Sequence, residues 1–220
     1  GGEPRVTPFP LILSSPSGGG KTTISRLLLQ RRDDVGYSVS CTTRLPRAGE
    51  VDQRDYYFLS GEEFAARRQR GDFAESADVH GNWYGTLRAE VDGVMQRGQH
   101  VIMDIDVQGA RQFAAAYPAS VLVFLLPPSA EALVQRLTGR KTESDEAFRR
   151  RVQAARDELR AAVSYQYVVV NDELEQAYRF VSSILDAEAV RHARLPQLSA
   201  RVSQLVEQLD RHLVQRTPTT

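Results

Sequence analysis

The feature that most constrains this chain is the stretch from Phe9 to Arg31, where a short apolar run enters a Ser/Gly-rich loop and leaves it as a helical pattern. Residues Ser15 to Thr22, SPSGGGKT, match G-x-x-x-x-G-K-[ST] at every position but the first, where Ser15 stands in place of glycine. Glycines at 18, 19 and 20 let successive backbone N–H groups converge on phosphate oxygens, and the following helix adds its positive end. The expected triphosphate cradle is therefore Ser15, Pro16, Ser17, Gly18, Gly19, Gly20, Lys21, Thr22 and Thr23. Lys21 would bridge the β- and γ-phosphates, and the Thr22 hydroxyl would ligate Mg²⁺. A Gly/Ser turn without a ligand is the plain alternative. Three consecutive glycines followed by one of only two lysines, at a strand-to-helix junction, argue against it. Ser15 should then sit at ordinary negative φ, since a side chain tolerates positive φ poorly.

Apolar runs of strand length recur at Phe9–Leu13, His100–Ile105, Ser120–Leu126 and Tyr167–Val170, each followed by a segment of helical spacing. That alternation predicts an α/β fold, a parallel sheet covered by helices. The run HVIMDID puts Asp104 and Asp106 at the carboxyl end of its strand, where open α/β sheets bind ligands. Asp104 is the expected partner of Thr22 around the metal ion, and Asp106 also suits the N-cap of the next helix. Residues 40–99 break the rhythm with DYYF, GDFAESADV and GNWYG, and read as an inserted β-rich lobe with little helix outside 61–70. Arg140 to Arg151 is almost wholly polar and forms a candidate helical lid.

Lys+Arg and Asp+Glu both number 28, so no global basic field exists to attract nucleic acid. Cys41 is the single cysteine, which excludes an intrachain disulfide and fits a reducing cytoplasm. No apolar run approaches the roughly 18 residues that span a bilayer, so no membrane is expected as partner.

A phosphate loop specifies a nucleoside triphosphate and nothing more. Ser40, Arg44, Arg47, Tyr56 and Tyr57 crowd one loop-rich span, and two arginines with two phenols can surround a phosphate dianion. Taken singly, each is an ordinary surface arginine or half-buried tyrosine. Together in the inserted lobe they favour a second phosphate-bearing substrate.

The motifs SPSGGGKTT, SVSCTTRLPRAGE, DYYF, GDFAE, GNWYG, MDIDVQG and VNDELEQAY occur here in the order found in guanylate kinases. From Pro10 to Ala189 the chain resembles that family, and the resemblance implies ATP-dependent, Mg²⁺-assisted phosphorylation of GMP, with dGMP as a further acceptor, in purine nucleotide metabolism. It implies that Arg44, Arg47, Tyr56 and Tyr84 hold the GMP phosphate, that Ser40, Glu75 and Thr86 read the guanine, and that Asp106 adds a contact. A carboxylate at Glu75 can accept from guanine N1–H and the 2-amino group, neither of which adenine offers at that edge. Arg140 and Arg151 resemble lid arginines that approach the transferring phosphoryl group, with Arg136 and Lys141 assisting, and Asn171 matches a position near the adenine. Lys21, Arg44, Arg140 and Arg151 form the expected catalytic set. The implied division is a flexible N-terminus (1–8), core (9–39), GMP lobe (40–99), core (100–139), lid (140–155), core (156–190) and a C-terminal extension (191–220). Two rivals remain: a kinase of another small phosphate ester, which would not need Ser40 and Glu75, and a non-catalytic scaffold of the same fold, which would not need Lys21, Thr22, Asp104 or the lid arginines.

The extension lies beyond the resemblance. Leu198, Val202, Leu205, Val206, Leu209 and Leu213 recur at helical spacing, and such a stripe must be buried. Either the helix docks on its own core or two such helices pair in a homodimer.

Overall fold

The computed structural model describes residues 6–16, 20–79, 81–138 and 144–215. Ser17, Gly18 and Gly19 of the expected cradle, and Arg140 and Lys141 of the expected lid, lie outside the described residues.

In chain order the elements are β1 (Pro10–Ser14), α1 (Lys21–Arg31), β2 (Val35–Tyr37), β3 (Cys41–Thr42), β4 (Tyr57–Phe58), α2 (Gly61–Gln69), β5 (Phe73–Val79), β6 (Asn82–Leu87) and α3 (Arg88–Gln96). There follow β7 (His100–Asp104), α4 (Val107–Ala116), β8 (Val121–Leu126), α5 (Ala130–Leu137), α6 (Asp145–Arg160), β9 (Tyr167–Val170), α7 (Leu174–Ala189) and α8 (Leu198–Gln215). Five strands in the order β2-β7-β1-β8-β9 form a parallel sheet. Successive side chains along a strand face opposite sides, so continuous apolar runs require cover on both. Leu11 and Leu13 pack with Ile24 and Leu28 of α1 and with Val181 and Leu185 of α7. Ile12, between them, packs with Val91 and Val94 of α3 and Phe113 of α4. Each of these side chains is buried, and full burial of one such group stabilises the fold by roughly 1.5–3 kcal/mol.

The register sets the site. Leu13 of β1 stands opposite Asp104 of β7, so the loop leaving one strand and the acid ending the next are neighbours at the carboxyl edge of the sheet.

The second sheet, β4-β3-β6-β5, is the inserted lobe. It has a small core of its own, in which Phe64 of α2 stacks on Phe73 at 4.5 Å and both pack with Cys41 and Leu87. The expectation of little helix between 40 and 99 outside 61–70 fails at α3. That helix is nine residues long with a glycine in its interior, so its periodicity is faint in the sequence, and burial of Val91 and Val94 against the core sheet holds it. The short strand β2 was not expected either. Its three residues bury Val35 against the core and pair with β7.

The polar stretch expected as a lid continues into α6, whose N-cap Ser144 accepts a hydrogen bond from the amide of Ala147 at 3.2 Å. Phe148 and Val152 of α6 pack against Leu133 and Leu137 of α5. At the other end of the chain, α8 carries its stripe uncovered. Val202, Leu205, Val206, Leu209 and Leu213 are all exposed, Leu209 to 64%, so docking onto the core is not what the structure shows. Among the described residues, no helix is long and apolar enough to cross a membrane.

Candidate active site

The helix α1 begins at Gly20, which has φ 83° and supplies no side-chain cap, and no acidic residue occupies the first turn. The first amides of the helix are therefore left for an anion. Gly20 must be glycine on a second ground. A Cβ there would lie 2.7 Å from the side-chain nitrogen of Asn171, which is buried directly against the loop. Asn171 is held in that place by its own backbone, whose N–H donates to the carbonyl of Leu126 at 2.8 Å. The residue matched to the adenine position thus packs on the phosphate loop. Ser15 is not at positive φ, as expected: among the described residues the only non-glycine there is Gln53.

Lys21, Asp104 and the lobe surround a cavity of about 320 Å³. Burial raises the Asp104 carboxyl above the usual carboxylate range, and the Lys21 charge and a hydrogen bond with Thr22 pull it back. Asp106 caps α4, its Oδ1 accepting from the amide of Gly109 at 2.7 Å, and it also borders the cavity. No cluster of three or more His, Cys, Asp or Glu side chains suited to a metal ion occurs among the described residues. A hydroxyl and a carboxylate side by side still fit Mg²⁺, which keeps several waters and takes its remaining oxygens from substrate phosphates.

On the lobe side, Glu75 and Thr86 face each other across the antiparallel pair of β5 and β6. Thr86 Oγ1 donates to Glu75 Oε1 at 2.8 Å, and both residues are buried. Burial is the main cause of a raised Glu75 pKa, with Thr86 opposing it and the charge of Asp106 adding to it. The approach of α4 is close at Gly109, where a Cβ would stand 3.1 Å from Asp106 Oδ1 and 3.2 Å from Glu75 Oε2. Ser40, Tyr56 and Tyr84 also line the cavity. Arg44 is outside that lining but contacts two of its residues: its Nε donates to the Tyr84 hydroxyl at 3.3 Å, and its guanidinium carbon lies 5.3 Å from the centre of the Tyr56 ring.

The structure gathers most of the expected residues, with three exceptions on the lobe. Arg47 is exposed and does not border the cavity; only its backbone is engaged, with the N–H donating to Glu50 Oε1 at 2.7 Å. Tyr57 turns away, and its hydroxyl donates to Glu90 Oε1 of α3 at 2.7 Å. Thr86 is present only behind Glu75, being wholly buried. On the donor side, Arg151 is half-buried on α6 and Arg136 exposed on α5, both outside the cavity lining, and Thr23 is exposed in the first turn of α1.

Sequence reasoning missed Glu50. It grips Arg44 with both carboxylate oxygens, at 2.8 and 3.0 Å, and that pairing first, with the Arg47 amide second, holds its pKa down at about 2. The available signal was the acid closing RLPRAGE, within reach of both arginines. Tyr37 and Ser38, at and just after the end of β2, border the cavity as well.

A parallel sheet with a phosphate-loop pattern after its first strand, sharing one cavity with an inserted sheet, defines a phosphate-loop α/β protein. The family model described as guanylate kinase matches residues 7–188. The chain is similar to guanylate kinase of Symbiobacterium thermophilum, 48% identical over 84% of this chain and 87% of that protein. It is also similar to guanylate kinase of Paramagnetospirillum magneticum, 46% identical over 89% and 92%. The crystal structure of guanylate kinase from Anaplasma phagocytophilum superposes with a TM-score of 0.72 at 33% identity, covering 89% of this chain and 93% of that one. The chain belongs to the guanylate kinase family, and is an enzyme of that family, a nucleotide-binding phosphotransferase.

Proposed function

We propose that the chain transfers the γ-phosphoryl group of ATP to GMP, and to dGMP, in purine nucleotide metabolism, with the lobe of residues 40–99 as acceptor site and residues 140–155 as lid. The observation that carries this reading is one cavity bordered at one end by Lys21 and Asp104 and at the other by Glu75, with Thr86 bonded behind it. Lys21 and the amides opening α1 take the donor phosphates. Arg44, Tyr56 and Tyr84 take the acceptor phosphate, and Arg47 reaches it only after moving from its exposed position. Glu75 and Ser40 read the base, and Asn171 supports the adenine side through the loop. A Mg²⁺ ion would be held by Thr22 and Asp104, and when bound it supplies positive charge to the donor phosphates.

The acceptor oxygen is already anionic at neutral pH, because a second phosphate pKa lies near 6. No general base is needed, and no side chain in the cavity is asked to be one. The residues instead position the two nucleotides and neutralise charge on the equatorial oxygens, with Arg140 and Arg151 brought in from the lid. Closure must exclude water, a competing acceptor. Cys41 is buried and its thiol is pushed up to about 12, mainly by burial, so it stays an inert packing group.

A coupled assay of ADP formation with GMP, dGMP, AMP, UMP and CMP tests the reading. Turnover is expected with GMP and dGMP, and at least 10⁴-fold less with AMP. Comparable rates with a sugar bisphosphate would move the chain to the rival kinase class.

A homodimer through α8 belongs to the same proposal. The stripe is symmetric about the 205/206 bond: in an antiparallel copy Leu198 meets Leu213, Val202 meets Leu209, and Leu205 meets Val206. Each of these six stripe residues then finds an apolar partner on the other chain. Ending the chain after Gln197 should halve the solution mass measured by light scattering and leave kcat within about twofold, since the site lies in the core and lobe. Unchanged mass would remove the helix from the interface.

A further inference from the structure

Ser38 follows β2, whose last residue Tyr37 pairs with Ile102 of β7, and borders the cavity from the core side, as does Asp104 at the end of β7. It is only 2% exposed, and its hydroxyl has no hydrogen-bond partner among the described residues. The Ser15 and Tyr165 hydroxyls are buried and unpaired as well, but neither borders this cavity, whereas Thr86 gives its proton to Glu75, Ser14 to the carbonyl of Ile105 at 2.9 Å, and Ser25 to the carbonyl of Lys21 at 3.0 Å. A hydroxyl left unpaired in a buried site lowers stability unless something arrives to meet it. Of the other polar groups that border the same space, Lys21 and Asp104 belong to the donor side and Ser40, Tyr56, Glu75 and Tyr84 to the acceptor site described above.

We infer that Ser38 is a further binding residue, whose hydroxyl hydrogen-bonds the acceptor nucleoside monophosphate from the core wall. This rests on the acceptor-site reading. The lobe groups Ser40, Tyr56, Glu75 and Tyr84 stand on the inserted sheet and the loops leading into it, whereas Ser38 continues a strand of the core sheet. A nucleotide held by both is tied to core and lobe together, and Ser38 supplies a hydrogen bond that does not move with the lobe.

The two states make opposite demands, which gives the test its sign. In the free protein, Ser38→Ala removes an unpaired buried hydroxyl, so Tm should be unchanged or higher. In the complex it removes a hydrogen bond, so the Kd for GMP, measured by calorimetry on the full chain without ATP, should rise about 3- to 10-fold. Ser38→Thr keeps the hydroxyl and should retain affinity closer to the wild type. At saturating GMP kcat should stay within about twofold, and KM for ATP should not move, because the lost contact is made equally before and during transfer. An unchanged Kd in Ser38→Ala overturns the inference. So does a lowered Tm in the free variant, which would show that the hydroxyl supports the fold. If the wild-type chain itself fails to bind GMP, the acceptor-site reading falls and this inference with it.

Discussion

Replacing Lys21 by methionine is expected to lower kcat by on the order of 10²- to 10³-fold while leaving the affinity for GMP near normal. The lysine stands at the first turn of α1, beside the amides that open the helix, and its charge acts on Asp104 across the mouth of the cavity. Methionine keeps much of the length and the apolar stem but removes the ammonium group, so packing changes little. What is lost is a positive charge aimed at oxygens whose negative charge grows as the phosphoryl group leaves, an interaction stronger in the transition state than in the bound substrate. The acceptor groups stand on a different sheet, so GMP binding, followed by calorimetry, should shift by less than about threefold. Retention of more than a tenth of the wild-type kcat corresponds to a loss under about 1.4 kcal/mol, and would show that the donor phosphates lie elsewhere.

The two halves of the site differ in how far the sequence discloses them. The donor half is local. Glycines, lysine and threonine stand within a few residues of one another, and the strand before and helix after them are visible as patterns, so the loop, Lys21, Thr22 and Asp104 could be named from chemistry alone. The acceptor half is assembled by tertiary pairing. Glu75 and Thr86 are eleven residues apart and meet only because β5 and β6 pair in one register, a fact that no spacing rule supplies. They entered through resemblance to a family. Arg47 and Tyr57 show what the segment's composition does not disclose. Both sit in the right segment with the right chemistry, yet at the end of that segment Glu50 turns Arg44 inward while engaging only the backbone of Arg47. Tyr57 lies one residue after Tyr56 on an extended segment, so its phenol reaches Glu90 instead of the cavity. Ser38 was invisible for a different reason: a serine in a strand end carries no signal until its burial and its unpaired hydroxyl are seen.

Substitution of Glu75 by alanine should bring the second large effect, a fall of about 10⁴-fold in kcat/KM for GMP with a much smaller change for AMP, narrowing the ratio between them. The size follows from the geometry of a buried carboxylate. Guanine N1–H and the 2-amino group would lose their acceptor in a site that excludes water, and each buried donor left unpaired costs about 1–3 kcal/mol. Alanine also strands the hydroxyl of Thr86, which is fully buried and donates only to Glu75. Part of the loss would therefore appear as a lowered Tm. Glu75→Gln separates the two effects, because the amide oxygen still accepts from Thr86 while the amide nitrogen can accept nothing. It should restore most of the Tm and little of the GMP activity. Titration offers a further check with a fixed sign. Burial raises the Glu75 pKa, and only the ionised form offers both oxygens to the base as acceptors, so GMP affinity should weaken on acidification at a pH above the ordinary glutamate range. The same acid limb should be missing from Glu75→Gln, which has nothing to protonate. An unchanged GMP/AMP ratio in Glu75→Ala would assign base recognition to another residue, and an acid limb that survives in Glu75→Gln would assign the titration to Asp104 or to the phosphate of GMP itself.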